Sequence, residues 1–167
     1  MPHSGPVIVG FDGSPASERA VREAAALFAP RRAVVVVVWE AGRAFEVATL
    51  PVKALEMPRS TLDLRTAFES ERTAYEAAER LADQGAALAN QAGLEADGLA
   101  VADNVSVAGT LARVATEVDG QAVVIGALGH RAGRRLALGS TLTGLLREAP
   151  CPVLVCGVSA VAPDRPG

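Results

Sequence analysis

The chain has 167 residues and a mass of 17.1 kDa, half of its residues are hydrophobic, and its formal net charge is −3. That length suits one domain burying roughly 70% of the surface its unfolded chain exposes. The composition excludes intrinsic disorder, and a pI near 5.4 gives no global pull toward nucleic acid or an anionic membrane. With only 4% aromatic residues, Val, Ala and Leu must build the core. Apolar runs then alternate with helical patterns along the chain, as in a parallel sheet covered on both faces. Val7-Ile8-Val9 reads as a short buried strand ending at Gly10. Ser14 caps a helix with Pro15 at its first position, Val21, Ala24, Ala25 and Phe28 on its buried face, and Pro30 as its stop. Ala33 to Trp39 is a second strand whose β-branched run implies burial on both sides. Residues 41–64 break the rhythm with Pro51 and Pro58, and read as a flexible excursion or lid over one end of the sheet. A long helix over Thr66 to Ala92 follows, with Phe68, Tyr75, Ala78, Ala82, Gly85 and Leu88 as its inner stripe and Gly93 as terminator. Leu94 to Val101 is a weak third strand. Leu111, Val114, Ala115 and Val118 define a shorter helix ended near Gly120. Ala122 to Ile125 is a fourth strand, Ser140 to Glu148 a helix, and Pro152 to Cys156 a fifth strand. Residues 159–167, with Pro163 and Pro166, read as a loose tail after a single domain over 1–158.

Three residue types narrow the chemistry. Lys53 is the only lysine among 16 basic residues. Cys151 and Cys156 are the only cysteines, and their odd separation on a strand points the thiols to opposite faces, so they should not bridge. With His3 and His130 the only histidines, a zinc site lacks ligands. No run approaches the ~20 apolar residues of a membrane helix. The N-terminus lacks the pattern of a signal peptide, so a cytoplasmic protein is expected.

Gly126-Ala-Leu-Gly129 follows the fourth strand, and nine residues later Gly139-Ser140-Thr141 opens a helix. Glycines at a strand's carboxyl end let backbone amides approach a ligand, and a helix N-terminus presents unpaired N–H groups with a favourable dipole. The plainer alternative is that the glycines make turns and Ser140 caps the helix. A P-loop needs Gly-Lys-Ser/Thr, which the isolated Lys53 cannot supply. The dinucleotide fingerprint should follow the first strand, but Gly10-Phe11-Asp12-Gly13-Ser14-Pro15 does not match it.

The spacing Gly126-x2-Gly129-x9-Gly139-Ser140, the opening Gly10-Phe11-Asp12-Gly13-Ser14 and the ending Ala149-Pro150-Cys151-Pro152-Val153-Leu154-Val155 together resemble the universal stress protein family, ATP-binding type. The resemblance spans about Pro6 to Val158. It implies a Rossmann-like α/β fold, with a five-stranded parallel sheet in the order 3-2-1-4-5 between helices. It also implies a homodimer built by pairing fifth strands. By position, Asp12 would reach the ribose or a magnesium ion beside the phosphates. Gly10 would allow close approach, and Val38 would hold adenine through its backbone. Gly126 and Gly129 would lie against ribose and phosphates, with Gly139, Ser140 and Thr141 on the distal phosphates. Asp12 also has a turn-forming alternative. The chain departs from the family at His130-Arg131-Ala132-Gly133, where glycines are usual, and at Ala122, where aspartate is usual. Arg131 would then either serve phosphate binding or simply lie in a solvated basic loop.

The function implied is an ATP-binding regulator of stress physiology, acting through nucleotide-dependent conformation or partner binding, with no nucleic-acid or membrane partner. Two alternatives stand beside it. One is slow ATP hydrolysis or adenylyl transfer, for which His130 is the one imidazole near the site. The other is a dimerisation module that has lost its nucleotide.

Overall fold

The computed structural model describes residues 5–41, 61–103, 106–127 and 139–157, the side chains of 61–64 excepted. In chain order the elements are β1 (Val7–Gly10), α1 (Pro15–Phe28), β2 (Arg32–Glu40), α2 (Thr61–Gln91), β3 (Glu95–Asp103), α3 (Val107–Glu117), β4 (Ala122–Gly126), α4 (Ser140–Glu148) and β5 (Val153–Cys156). The strands form one sheet in the order β3-β2-β1-β4-β5, and every neighbouring pair is parallel. This is the order the resemblance implies.

Central β1 explains why its residues are all apolar: Val7, Ile8 and Val9 are completely buried because both sheet faces are covered. Strand alternation divides the core. Val7, Val9, Val35 and Val37 pack against α1 and α2, while Ile8, Val36, Val123 and Ile125 pack against α3 and α4. The cysteines divide in the same way, Cys156 in the first cluster and Cys151 in the second, and both are free thiols. Burial pushes each thiol up from its ordinary pKa.

The helix starts follow from local chemistry. Ser14 Oγ accepts the Ser17 N–H at 3.2 Å, with Pro15 in the first turn of α1. Ser106 Oγ accepts the Gly109 N–H at 3.0 Å and starts α3.

Two elements are longer than the sequence pattern suggests. β3 runs to Asp103 and pairs with β2 over its whole length, with the Asn90 side chain both donating to and accepting from the backbone of Ala96 on its outer edge. α2 begins at Thr61, five residues before the expected start; the rest of the expected excursion, 42–60, lies outside the described residues, as does the tail 158–167. At 31 residues α2 is about 46 Å long. The nine-residue strands beneath it reach only about 30 Å, so its N-terminal part overhangs the carboxyl end of the sheet.

That overhang corrects the expected inner stripe. Phe68 is 63% exposed and Tyr75 39%, whereas Ala78, Ala82, Ala86 and Ala89 are buried. Small residues let α2 sit close to the sheet. A Cβ at Gly85 would lie 2.7 Å from Val35 Cγ1 and 2.8 Å from Phe11 Cδ1, and one at Gly98 would lie 2.7 Å from the Ala82 carbonyl carbon. Tyr75 instead packs edge-on against Trp39, with ring centroids 5.7 Å apart. No described helix is long and apolar enough to cross a membrane.

Candidate functional site

Chain connections leave β1 toward β2 and β4 toward β5, so the strand order reverses between β1 and β4. Open parallel sheets place their ligands outside the carboxyl ends of the strands at such a point. The topology brings Gly10 and Asp12 from β1, Gly126 from β4, Val38 from β2 and the Gly139–Thr141 start of α4 to this end of the sheet. Gly129, His130 and Arg131 lie outside the described residues.

The turn after β1 is tightly ordered. Phe11 N–H donates to Val36 O at 2.9 Å and extends the sheet by one bond. The chain then turns through Gly13, whose φ of +73° favours glycine. Asp12 Oδ1 accepts the Ser14 N–H at 3.0 Å, so the turn-forming alternative for this residue is realised. Such a bond uses one of roughly four lone-pair positions on a carboxylate. The turn role and a ligand role are therefore compatible, and the Asp12 side chain stands exposed.

The glycines at this end of the sheet differ in kind. Gly126 is required by packing, since a Cβ there would meet the Ala16 carbonyl carbon and oxygen at 2.7 Å. At Gly139 an added Cβ would have nothing within 4 Å among the described residues, and its φ of −57° is one that any residue adopts. Gly10 is intermediate, with Ile125 Cγ2 at 3.1 Å and Leu111 Cδ1 at 3.3 Å from an added Cβ.

α4 opens differently from the capping alternative. Gly139, not Ser140, is the N-cap, and among the described residues no side chain caps the helix. Ser140 is the first helical residue, exposed, with Thr141 half-buried behind it. The first-turn N–H groups lie at the positive end of the helix dipole.

Val38 lies two residues beyond the last pair between β1 and β2, Gly10 with Val36. Backbone polarity alternates along a strand, so Val38 turns its N–H and C=O to the same side as Val36, past the end of β1. Its side chain packs partly buried on the α3 side.

Two features escaped the sequence reading. Trp39 and Tyr75 form an aromatic pair at this end of the sheet. Ser17, 4% exposed on the inner face of α1, ties the turn together through its hydroxyl. A serine placed on the apolar stripe three residues after the cap was the available signal for it. Among the described residues no group of three or more His, Cys, Asp or Glu could hold a metal ion.

The fold defines a doubly wound α/β protein whose strand order reverses between β1 and β4. The chain belongs to the universal stress protein family, whose model matches residues 4–157. Among solved structures it is similar to the hypothetical protein MJ0577, with 15% identity and a TM-score of 0.72 over 96% of this chain and 99% of that one. It is also similar to the universal stress protein from Archaeoglobus fulgidus in complex with dAMP, at 18% identity and TM-score 0.56 over 92% and 98% of the two chains. A universal stress protein family protein from Arabidopsis thaliana with AMP bound is 13% identical, with TM-score 0.58 over 93% of each chain. No curated protein matches the chain.

Proposed function

We propose that this protein binds an adenine nucleotide, ATP with Mg²⁺, at the β1–β4 crevice, and acts as a stress-response regulator through nucleotide-dependent conformation or partner binding. The observation that carries this reading is the opening of α4, where Gly139 is the N-cap and, among the described residues, no side chain caps or crowds the helix start. Helix starts of this kind receive phosphate oxygens on backbone N–H groups. The similar structures with dAMP and AMP support adenine as the base.

In this reading the N–H groups of Ser140 and Thr141 and the Ser140 hydroxyl donate to the distal phosphates. Gly10, Gly126 and Gly129 keep side chains out of the nucleotide's path, and Val38 meets the adenine edge with its backbone. Asp12 accepts from the ribose or faces Mg²⁺, and Arg131 adds positive charge. Mg²⁺ arrives with the phosphates that chelate it. A cytoplasmic location fits the supply of ATP.

We further propose a homodimer through β5. This strand ends the sheet, its Val153, Leu154 and Val155 are half-buried, and the shallow groove beside it is lined by Glu23, Leu27, Leu154 and Cys156.

Calorimetric titration with AMP and with ATP plus Mg²⁺ tests the nucleotide reading. Saturable heat is expected, and its absence at millimolar nucleotide overturns the reading. Trp39 is the only tryptophan, so a change in intrinsic fluorescence would report binding at this end of the sheet.

A further inference from the structure

The hydroxyl of Ser17 is buried and fully used. It donates to Ser14 O at 2.9 Å, accepts the Asp12 N–H at 3.3 Å, and receives the Ser14 hydroxyl at 3.4 Å. A serine hydroxyl offers one donor and two acceptor positions, so these three contacts saturate it. α1 already has its cap, because Ser14 Oγ accepts the Ser17 N–H. Two of the Ser17 hydroxyl's contacts thus reinforce the cap residue Ser14, and the third serves something other than starting the helix. Its acceptor bond reaches five residues back, out of the helix, to the backbone of Asp12.

We propose that Ser17 is a positioning residue for the nucleotide site, acting through Asp12; this inference rests on the nucleotide reading above. The Ser17 hydroxyl holds the Asp12 amide while Asp12 Oδ1 is held by the Ser14 N–H, so the residue is fixed at its backbone and at one carboxylate oxygen before a ligand arrives. α1 itself is anchored by Ala20, Val21 and Ala24, all completely buried, so the hydroxyl transfers the rigidity of the core to an exposed carboxylate. Gly13 between them sits in the left-handed region, with Leu81 Cδ1 of α2 at 3.1 Å from where a Cβ would be. Without the Ser17 bond the Asp12 backbone loses its tie to the buried face of α1, and the carboxylate is ordered at the expense of binding energy.

The test is a double-mutant cycle on the full chain, titrated with ATP plus Mg²⁺. Ser17→Ala is expected to weaken binding about fivefold, the scale of one hydrogen bond. In an Asp12→Ala background the same substitution should change affinity less than about twofold, because the group it positions is gone. Amide exchange at Asp12 should accelerate in Ser17→Ala while the core amides of α1 stay protected. A purely structural serine would instead weaken binding by the same factor in both backgrounds, and that result overturns the inference. Unchanged affinity in Ser17→Ala, with wild type binding normally, overturns it alone and leaves the nucleotide reading intact. A wild-type chain that binds no nucleotide overturns both. If alanine unfolds the chain, Ser17→Cys fills the same space with a weak hydrogen-bonding group and is expected to lose affinity in the same direction.

Discussion

A methyl group added at Gly139 would find no heavy atom of the described residues within 4 Å, whereas one added at Gly126 would lie 2.7 Å from the Ala16 carbonyl carbon and oxygen. The two glycines look alike in the motif, yet their surroundings assign them different work. Gly139→Ala should change stability by less than about 1 kcal/mol, since only an N-cap preference is lost. If phosphate lies against this backbone, the same change should weaken ATP binding about tenfold, equivalent to about 1.4 kcal/mol, measured calorimetrically. Gly126→Ala should cost about 1–3 kcal/mol in denaturant unfolding, because α1 or β4 must move to admit the methyl. A Gly126→Ala chain as stable as wild type would contradict the packing argument; unchanged affinity in Gly139→Ala would displace the phosphate site. Asp12 teaches a similar lesson, since its turn contact and its proposed ligand role coexist on one carboxylate.

α2 shows what periodicity alone leaves open at the level of an element. Phe68, Tyr75, Ala78, Ala82, Gly85 and Leu88 do recur at helical spacing, but the sheet ends before the helix does. From Ala78 onward the stripe is buried against the strands, and there it is Ala and Gly that permit close contact, while Tyr75 meets the Trp39 ring near the end of β2. The earlier part carries a local device instead: the Tyr75 hydroxyl donates to Glu79 Oε1 at 2.6 Å, one turn along. That hydrogen bond, and then the negative charge of Glu79, raise the Tyr75 pKa. The folded state thus holds the phenolic proton more tightly than the unfolded one. Any associated stability is present below the ordinary tyrosine pKa and is lost as pH rises through the raised value. Spectrophotometric titration of Glu79→Gln should show Tyr75 ionising at lower pH than in wild type. An unmoved titration would mean that the contact is not formed in solution.

Over the whole molecule, the sheet has two edges with different treatment. At β3 the Asn90 side chain occupies the backbone of Ala96, a way of blunting an edge against further pairing. At β5 the described residues show a groove with apolar walls, and Leu27 and Leu146 stand 62% and 61% exposed on the adjacent helices α1 and α4. Pairing of two β5 strands would cover this edge. Sedimentation equilibrium is expected to give twice the 17.1 kDa chain mass, and Leu154→Lys should shift it toward one chain mass by placing charge on the edge. A wild-type monomer at all concentrations would exclude the arrangement.

The order of strands and helices was legible in the sequence because it rests on local patterns: the Val-rich run of β2, the Ser14-Pro15 start of α1, and the apolar spacing of α3. The glycine spacing and its flanks pointed to the family through the resemblance, and the topology puts Gly10, Asp12, Val38, Gly126 and Gly139 at one end of the sheet. Tertiary structure decided what depends on the opposing surface. It exposed Phe68 beyond the end of the sheet, made Gly126 a packing residue, left Gly139 with no described neighbour, and tied the Ser17 hydroxyl to the Asp12 amide. Periodicity tells which way a side chain points, and only the packed fold tells whether anything stands there to meet it.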